Sequence, residues 1–122
     1  MRRILAVDDN RDILEIIELI LEDCGYEVET LTNGHNLFEK IKEINPDLIL
    51  LDIMLGDLDG RELCEQVKNL PETSNIPVVL ISASHNMAES IAQHKKGAPN
   101  AFIAKPFDID DLVDTVQSHI AA

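Results

Sequence analysis

The chain has 122 residues, which suits one folded domain with its own core, and its 45% apolar and 27% charged fractions are ordinary for a globular protein. Its formal net charge of −13 disfavours direct binding to nucleic acid or to an anionic membrane, because both require Lys and Arg to neutralise phosphates. The apolar runs are far shorter than the ~20 residues of a membrane span and no signal peptide is visible, so we expect a cytoplasmic protein.

Short apolar runs alternate with helix-like patterns in the first half of the chain. Apolar runs at residues 4–7 and 48–51, and an alternating stretch at residues 26–31, predict three strands. Apolar residues spaced three and four apart predict two intervening helices, with Ile13, Ile16, Ile17, Ile20 and Leu21 on the face of the first and Leu37, Phe38, Ile41 and Ile44 on that of the second.

The second half repeats this alternation. A loop that ends in Asp59-Gly60 precedes a predicted helix, and residues 76–81 form the next apolar run. A weaker helix follows, with Ala88, Ile91 and Ala92 on one face. Residues 101–104 predict a short strand, and Asp108 can cap a last helix.

Five alternating strand and helix patterns favour an α/β fold, in which a parallel sheet is covered by helices on both faces. The first, third and fourth strands are apolar throughout, as expected for strands buried on both faces. The second strand contains Glu27 and Glu29 and is therefore the natural edge. We predict a doubly wound five-stranded sheet with the strand order 2-1-3-4-5, which binds ligands at the carboxyl ends of its strands.

Polar residues follow four of the five predicted strands. Asp8 and Asp9 follow the first strand, Asp52 the third, Ser82 the fourth and Lys105 the fifth. The carboxyl ends of parallel strands lie on one rim of the sheet, so we expect three carboxylates, a hydroxyl and an ammonium group to converge there. Each residue alone has an ordinary explanation as a cap, a turn residue or a surface charge, and the prediction depends on their joint occurrence.

The chemistry of this set points to a divalent cation and to phosphoryl transfer. Hard oxygen ligands suit Mg²⁺, and the lack of His or Cys among them argues against zinc. One carboxylate can act as a nucleophile and form an acyl phosphate. The metal and Lys105 would neutralise charge and Ser82 would donate a hydrogen bond, since this reaction asks a protein mainly for positioning and electrostatics.

Five stretches of the sequence carry a resemblance to a known family. They are residues 4–10, 47–55, 59–60, 77–83 and 105–107, with the sequences ILAVDDN, DLILLDIML, DG, PVVLISA and KPF. Their order and spacing resemble the receiver domain of bacterial response regulators, and the resemblance covers essentially the whole chain. We therefore expect residues 1–122 to form one receiver domain of the flavodoxin-like fold class.

The resemblance implies a phosphorylation site at Asp52, which would accept a phosphoryl group from a phosphohistidine of a sensor kinase or phosphotransfer protein. It also implies that Asp9, Asp52 and the backbone carbonyl of Met54 bind Mg²⁺, with Mn²⁺ as a substitute, and that Asp8 acts mainly through a metal-bound water. Such a domain catalyses its own phosphorylation and dephosphorylation, and it is a signalling protein rather than an enzyme with a separate substrate.

Other residues are implied to respond to the phosphoryl group. Ser82 and Lys105 contact its oxygens, and the Lys105–Pro106 bond is expected to be cis. Phe102 stands at the place of the family's switch aromatic and turns inward when Ser82 moves toward the phosphoryl group. The surface of the fourth predicted helix, the fifth strand and the last helix then changes and controls partner binding.

Three features depart from the family's usual pattern. Gly56 stands where Pro is usual in the loop after the phosphorylated aspartate, so we expect a more flexible loop. Ser82 replaces the more common Thr and keeps the hydroxyl. One extra residue lies between Gly97 and Lys105, and Pro99-Asn100 replaces an acidic pair, which alters the start of the fifth strand on the expected output face.

Two other functions stay open. A flavodoxin-like cofactor-binding protein would share the architecture, but it needs a phosphate-binding loop where this chain has Asp8-Asp9. A phosphatase with an aspartate nucleophile, of the haloacid dehalogenase type, would carry D-x-D after its first strand. The downstream partner, as a separate protein or an output domain, is left open, and so is the choice between a monomer and a phosphorylation-dependent dimer.

Overall fold

A five-stranded parallel sheet forms the centre of the computed structural model, which describes residues 2–82 and 99–120. Its strands are β1 (Arg3–Val7), β2 (Glu27–Leu31), β3 (Leu48–Asp52), β4 (Val78–Ser82) and β5 (Ala101–Ala104). They lie in the order β2-β1-β3-β4-β5 and every pair is parallel, which confirms the predicted fold class and strand order.

Four helices surround the sheet in the described parts of the chain. They are α1 (Arg11–Asp23), α2 (Leu37–Ile44), α3 (Gly60–Asn69) and the C-terminal helix (Ile109–His119). None of the four is long and apolar enough to cross a membrane. The weaker helix predicted around Ala88, Ile91 and Ala92 lies outside the described residues.

Alternate residues of each central strand face opposite sides of the sheet, and each side has its own apolar cluster. Leu5 of β1 packs with residues of α2 and α3, whereas Ile4 packs with residues of α1 and the C-terminal helix. All residues of β3 and β4 are buried, as predicted for strands covered on both faces. β2 lies at the edge and is exposed in part along its length, which confirms the interpretation of Glu27 and Glu29.

The apolar face of α1 differs from the predicted one. Leu14, Ile17 and Leu21 are buried, but Ile16 is 50% exposed. Successive residues are ~100° apart around a helix, so Ile16 lies beside the buried stripe and points toward solvent. The prediction that Ile16 shares the buried face was wrong, and Leu14 was missed.

The segment after β3 forms a short hairpin where the sequence predicted a loop. Met54–Leu55 pairs antiparallel with Leu58–Asp59, which leaves Gly56 and Asp57 as the two turn residues. Gly56 has a φ of +66°, as two-residue hairpin turns require, and proline cannot adopt a positive φ. Gly56 therefore permits a turn that the family's usual Pro would exclude. Residues 54–59 are called the hairpin below.

The start of β5 is hydrogen-bonded to β4 through Asn100. The Asn100 N–H donates to the Val78 carbonyl at 2.8 Å, and Asn100 Oδ1 accepts from the Val78 N–H at 3.0 Å. The amide side chain thus extends the pairing of β4 with β5 by one more acceptor. The extra residue expected between Gly97 and Lys105 belongs to a segment of which Gly97 and Ala98 lie outside the described residues, and its effect on the start of β5 stays a prediction.

Candidate functional site

The predicted rim residues stand at the carboxyl ends of their strands. Asp52 and Ser82 are the last residues of β3 and β4, Asp8 directly follows β1, and Lys105 directly follows β5. Asp8, Asp52 and Ser82 are exposed by only 1%, 5% and 1%. Carboxylates are seldom buried to this degree without a partner, because removing their charge from water is costly.

The loop after β1 holds Asp8 inside the protein and leaves Asp9 exposed. The Asp8 N–H donates to the Leu31 carbonyl of β2 at 3.1 Å, and Asp8 Oδ1 accepts the Asn10 N–H at 2.9 Å. Asn10 is the N-cap of α1, and its Oδ1 accepts two N–H groups of the first turn, at 2.9 and 3.4 Å. Asn10 was not among the predicted site residues, although Asn before a helical pattern is a known cap signal.

Asp8, Asp9 and Asp52 form an acidic cluster in which one oxygen of each lies within 4.8 Å of the others. Oxygen ligands of one divalent cation lie at ~2.0–2.6 Å from the ion, so a single cation can contact all three. No His or Cys belongs to this cluster within residues 2–82 and 99–120. The donor set therefore fits a hard cation such as Mg²⁺ or Mn²⁺.

Lys105 bridges two carboxylates of this cluster. Its Nζ lies 2.8 Å from Asp8 Oδ2 and 3.4 Å from Asp52 Oδ2. The Lys105 N–H donates to the Ser82 carbonyl at 2.7 Å, which continues the pairing of β4 and β5 up to the rim. The Lys105–Pro106 bond is cis, the isomer that the resemblance implied.

Burial and neighbouring charges have opposing effects on the pKa values of Asp52 and Lys105. Burial, followed by the neighbouring Asp8 charge, raises the pKa of Asp52 from 3.8 to about 6, against the opposite effects of Lys105 and the Met54 N–H. Burial acts to lower the pKa of Lys105, but the hydrogen bond to Asp8 and the charges of both carboxylates raise it above its ordinary value. At neutral pH both groups are therefore charged, and the ionised Asp52 is held at an energetic cost that an added cation would reduce.

Gly60 lies directly behind Asp52. Its N–H donates to the Ile53 carbonyl at 2.7 Å, and a Cβ added to Gly60 would lie 2.1 Å from the Asp52 carbonyl oxygen. Glycine is required because the atoms in the way belong to the backbone. The Met54 N–H donates to Asp52 Oδ1 at 3.4 Å, so the start of α3 and the start of the hairpin both contact Asp52. The sequence analysis noted Gly60 as the end of a loop and as part of the resemblance, but not its contact with Asp52.

Phe102, the predicted switch aromatic, lies in β5 opposite Leu80 of β4. It is half-buried and packs against the apolar cluster that faces α2 and α3. Its role as the switch aromatic stays a prediction.

Comparison with known sequences identifies relatives along nearly the whole chain. Residues 4–117 match the response regulator receiver domain family. The chain is 31% identical over 118 residues to the DNA-binding dual master transcriptional regulator RpaA of Synechocystis sp.. That match covers 97% of this chain and 48% of the relative, so the chain spans about half of the relative's length.

Solved structures show the same architecture. The chemotaxis response regulator CheY4 of Vibrio cholerae has a TM-score of 0.88 and 27% identity, with 98% of this chain and 99% of that one covered. The receiver domain of NtrX from Brucella abortus has a TM-score of 0.84 and 32% identity, with 95% and 96% covered. The strand order, the acidic cluster and the rim lysine define a receiver-type α/β domain. The chain belongs to the response regulator receiver family of two-component signalling.

Proposed function

We propose that this domain is a phosphorylation-controlled switch, in which Asp52 accepts a phosphoryl group from a phosphohistidine of a sensor kinase or phosphotransfer protein. The observation that carries the proposal is the position of the Asp52 carboxylate, which is buried at the carboxyl rim, clustered with Asp8 and Asp9, and 3.4 Å from the Lys105 ammonium. Membership of the receiver family supports the same chemistry.

In the transfer step, an Asp52 carboxylate oxygen attacks the phosphorus atom and forms a P–O bond, while the P–N bond to the donor imidazole breaks. The electron pair of the broken bond stays on the imidazole nitrogen, which takes up a proton from water. Lys105 neutralises charge on the phosphoryl oxygens, and its Nζ already lies beside Asp52. The Ser82 hydroxyl, at the end of β4, donates to another of these oxygens.

A bound Mg²⁺ or Mn²⁺ would supply positive charge that offsets both the carboxylates and the phosphoryl oxygens. Asp9 and Asp52 would hold the ion directly together with the backbone carbonyl of Met54, and Asp8 would act through a bound water. The contacts support this division, because Asp8 Oδ2 is already paired with Lys105 at 2.8 Å whereas Asp9 is exposed. Hydrolysis of the acyl phosphate by water restores the Asp52 carboxylate and releases inorganic phosphate.

The output of the switch is a change of surface. Movement of Ser82 toward the phosphoryl group and inward rotation of Phe102 would alter the surface formed by β5, the C-terminal helix and the fourth predicted helix. A downstream protein or an output domain would read that change. The similarity to RpaA, a DNA-binding regulator about twice as long as this chain, supports an output domain as one such reader.

The test is phosphorylation by acetyl phosphate with Mg²⁺, followed by intact-mass measurement. Wild type is expected to gain one phosphoryl group, and Asp52→Asn is expected to gain none. Asp114→Asn, which removes an exposed carboxylate from the C-terminal helix, is the charge-matched control and should behave as wild type. Chelation of the metal should stop the gain. Equal phosphorylation of wild type and Asp52→Asn would refute the proposal.

A further inference from the structure

The loop between β2 and α2 contacts the tip of the hairpin through an ion pair. His35 Nε2 lies 3.2 Å from both Asp57 Oδ1 and Asp57 Oδ2. The His35 backbone is itself held, because its N–H donates to Asn33 Oδ1 at 3.0 Å. His35 belongs to the loop and Asp57 to the hairpin turn, so the pair joins two segments that are 22 residues apart.

The same loop also packs on the apolar side of the hairpin. A Cβ added to Gly34 would lie 2.6 Å from Leu63 Cδ1, 3.0 Å from Leu58 Cδ1 and 3.4 Å from Leu55 Cδ1. The backbone at Gly34 therefore rests directly on the hairpin leucines and on α3. The loop contacts the hairpin twice, through apolar packing at Gly34 and through the charge pair at His35.

The hairpin in turn meets the rim. Met54 pairs with Asp59 at the base of the hairpin, and its N–H donates to Asp52 Oδ1 at 3.4 Å. We propose that His35 is a positioning residue, which holds the hairpin through Asp57 and so fixes the Met54 backbone carbonyl for the divalent cation. This role rests on the proposed function, because it assigns Met54 to the metal.

Within the described residues, the Asp57 carboxylate is the charged group that lies within 4 Å of the His35 ring. The two side chains are 59% and 75% exposed, so the effect is that of a solvated ion pair. We expect loss of the pair to weaken Mg²⁺ binding about twofold to fivefold.

The experiment measures Mg²⁺ affinity by isothermal titration calorimetry for wild type, His35→Gln, Asp57→Asn and the double variant. A positioning role predicts that both single variants bind Mg²⁺ more weakly and that the double variant is no worse than either. A direct effect of charge predicts that the two single variants change Mg²⁺ affinity in opposite directions. Removal of a cation would strengthen Mg²⁺ binding, and removal of an anion would weaken it.

Amide hydrogen exchange without metal provides the second readout. Both single variants should exchange the hairpin amides at Leu55 and Leu58 faster than wild type and than Asp114→Asn, which is the charge-matched control for Asp57→Asn. Suppose that wild type binds Mg²⁺ but the two single variants change Mg²⁺ affinity in opposite directions, or exchange their hairpin amides at the wild-type rate. Either result would overturn the positioning role and leave the proposed function standing. Absence of Mg²⁺ binding by wild type would refute the proposed function, and with it the role assigned to His35.

Discussion

Replacement of Asp52 by Asn should stabilise the metal-free domain at alkaline pH, although it removes the residue at the centre of the site. The pKa of Asp52 rises from 3.8 to about 6 on folding, with burial as the main cause. At about 1.4 kcal/mol per unit, this rise corresponds to roughly 3 kcal/mol of unfavourable free energy for the ionised form. Because water at the rim screens part of that energy, we expect Asp52→Asn to gain about 1–3 kcal/mol at pH 8.

The sign of the pH dependence follows from the direction of the pKa shift. The folded chain binds the Asp52 proton more tightly than the unfolded chain, since its pKa is the higher one. The stability that comes from this proton is complete below about pH 4 and is lost as the pH rises through about 6. The advantage of Asp52→Asn should therefore be largest at pH 8 and should shrink toward pH 4. Lys105 keeps its 2.8 Å contact with Asp8 in the variant, so no buried ammonium is left alone.

Urea unfolding followed by circular dichroism, with a chelator present, measures this difference. The control is Asp114→Asn, which removes the same charge from an exposed position and so accounts for the general repulsion of a chain with net charge −13. A free energy of unfolding for Asp52→Asn at or below that of Asp114→Asn at pH 8 would refute the reasoning. So would an advantage that grows as the pH falls.

Three further predictions test the supports of the site. Lys105→Met should lower the free energy of unfolding at pH 8 by about 3–5 kcal/mol without metal, because Asp8 and Asp52 lose their shared cation. A loss of stability that is as large at pH 5 as at pH 8 would contradict this explanation. Gly60→Ala should cost about 1–3 kcal/mol or more in urea unfolding, because its Cβ would lie 2.1 Å from the Asp52 carbonyl oxygen, and a neutral result would contradict the close approach. Gly56→Pro should abolish the hairpin, whose turn needs a positive φ, and unchanged amide exchange at the hairpin would show that the turn is not required.

Much of the fold could be predicted because its signals are local. Apolar runs and helical spacing are properties of short segments, and the two glutamates of β2 were sufficient to place that strand at the edge. The rim residues could also be predicted, since a parallel sheet carries the residues that follow its strands to one side. Burial around α1 was predicted less well, because Ile16 and Leu14 are both apolar and their exposure depends on how the helix is rotated against the sheet.

Tertiary structure alone decided how the rim charges are shared. The sequence places Lys105 at the rim, but the spacing between strands decides that its ammonium lies closer to Asp8 than to Asp52. His35 and Asp57 are 22 residues apart in the sequence, and their contact exists only because the β2–α2 loop and the hairpin meet in space. The sequence alone determines the identity and the order of the functional residues. Distances between residues from different strands and loops depend on packing, and those distances decide which charges pair and which stay available for a cation or a phosphoryl group.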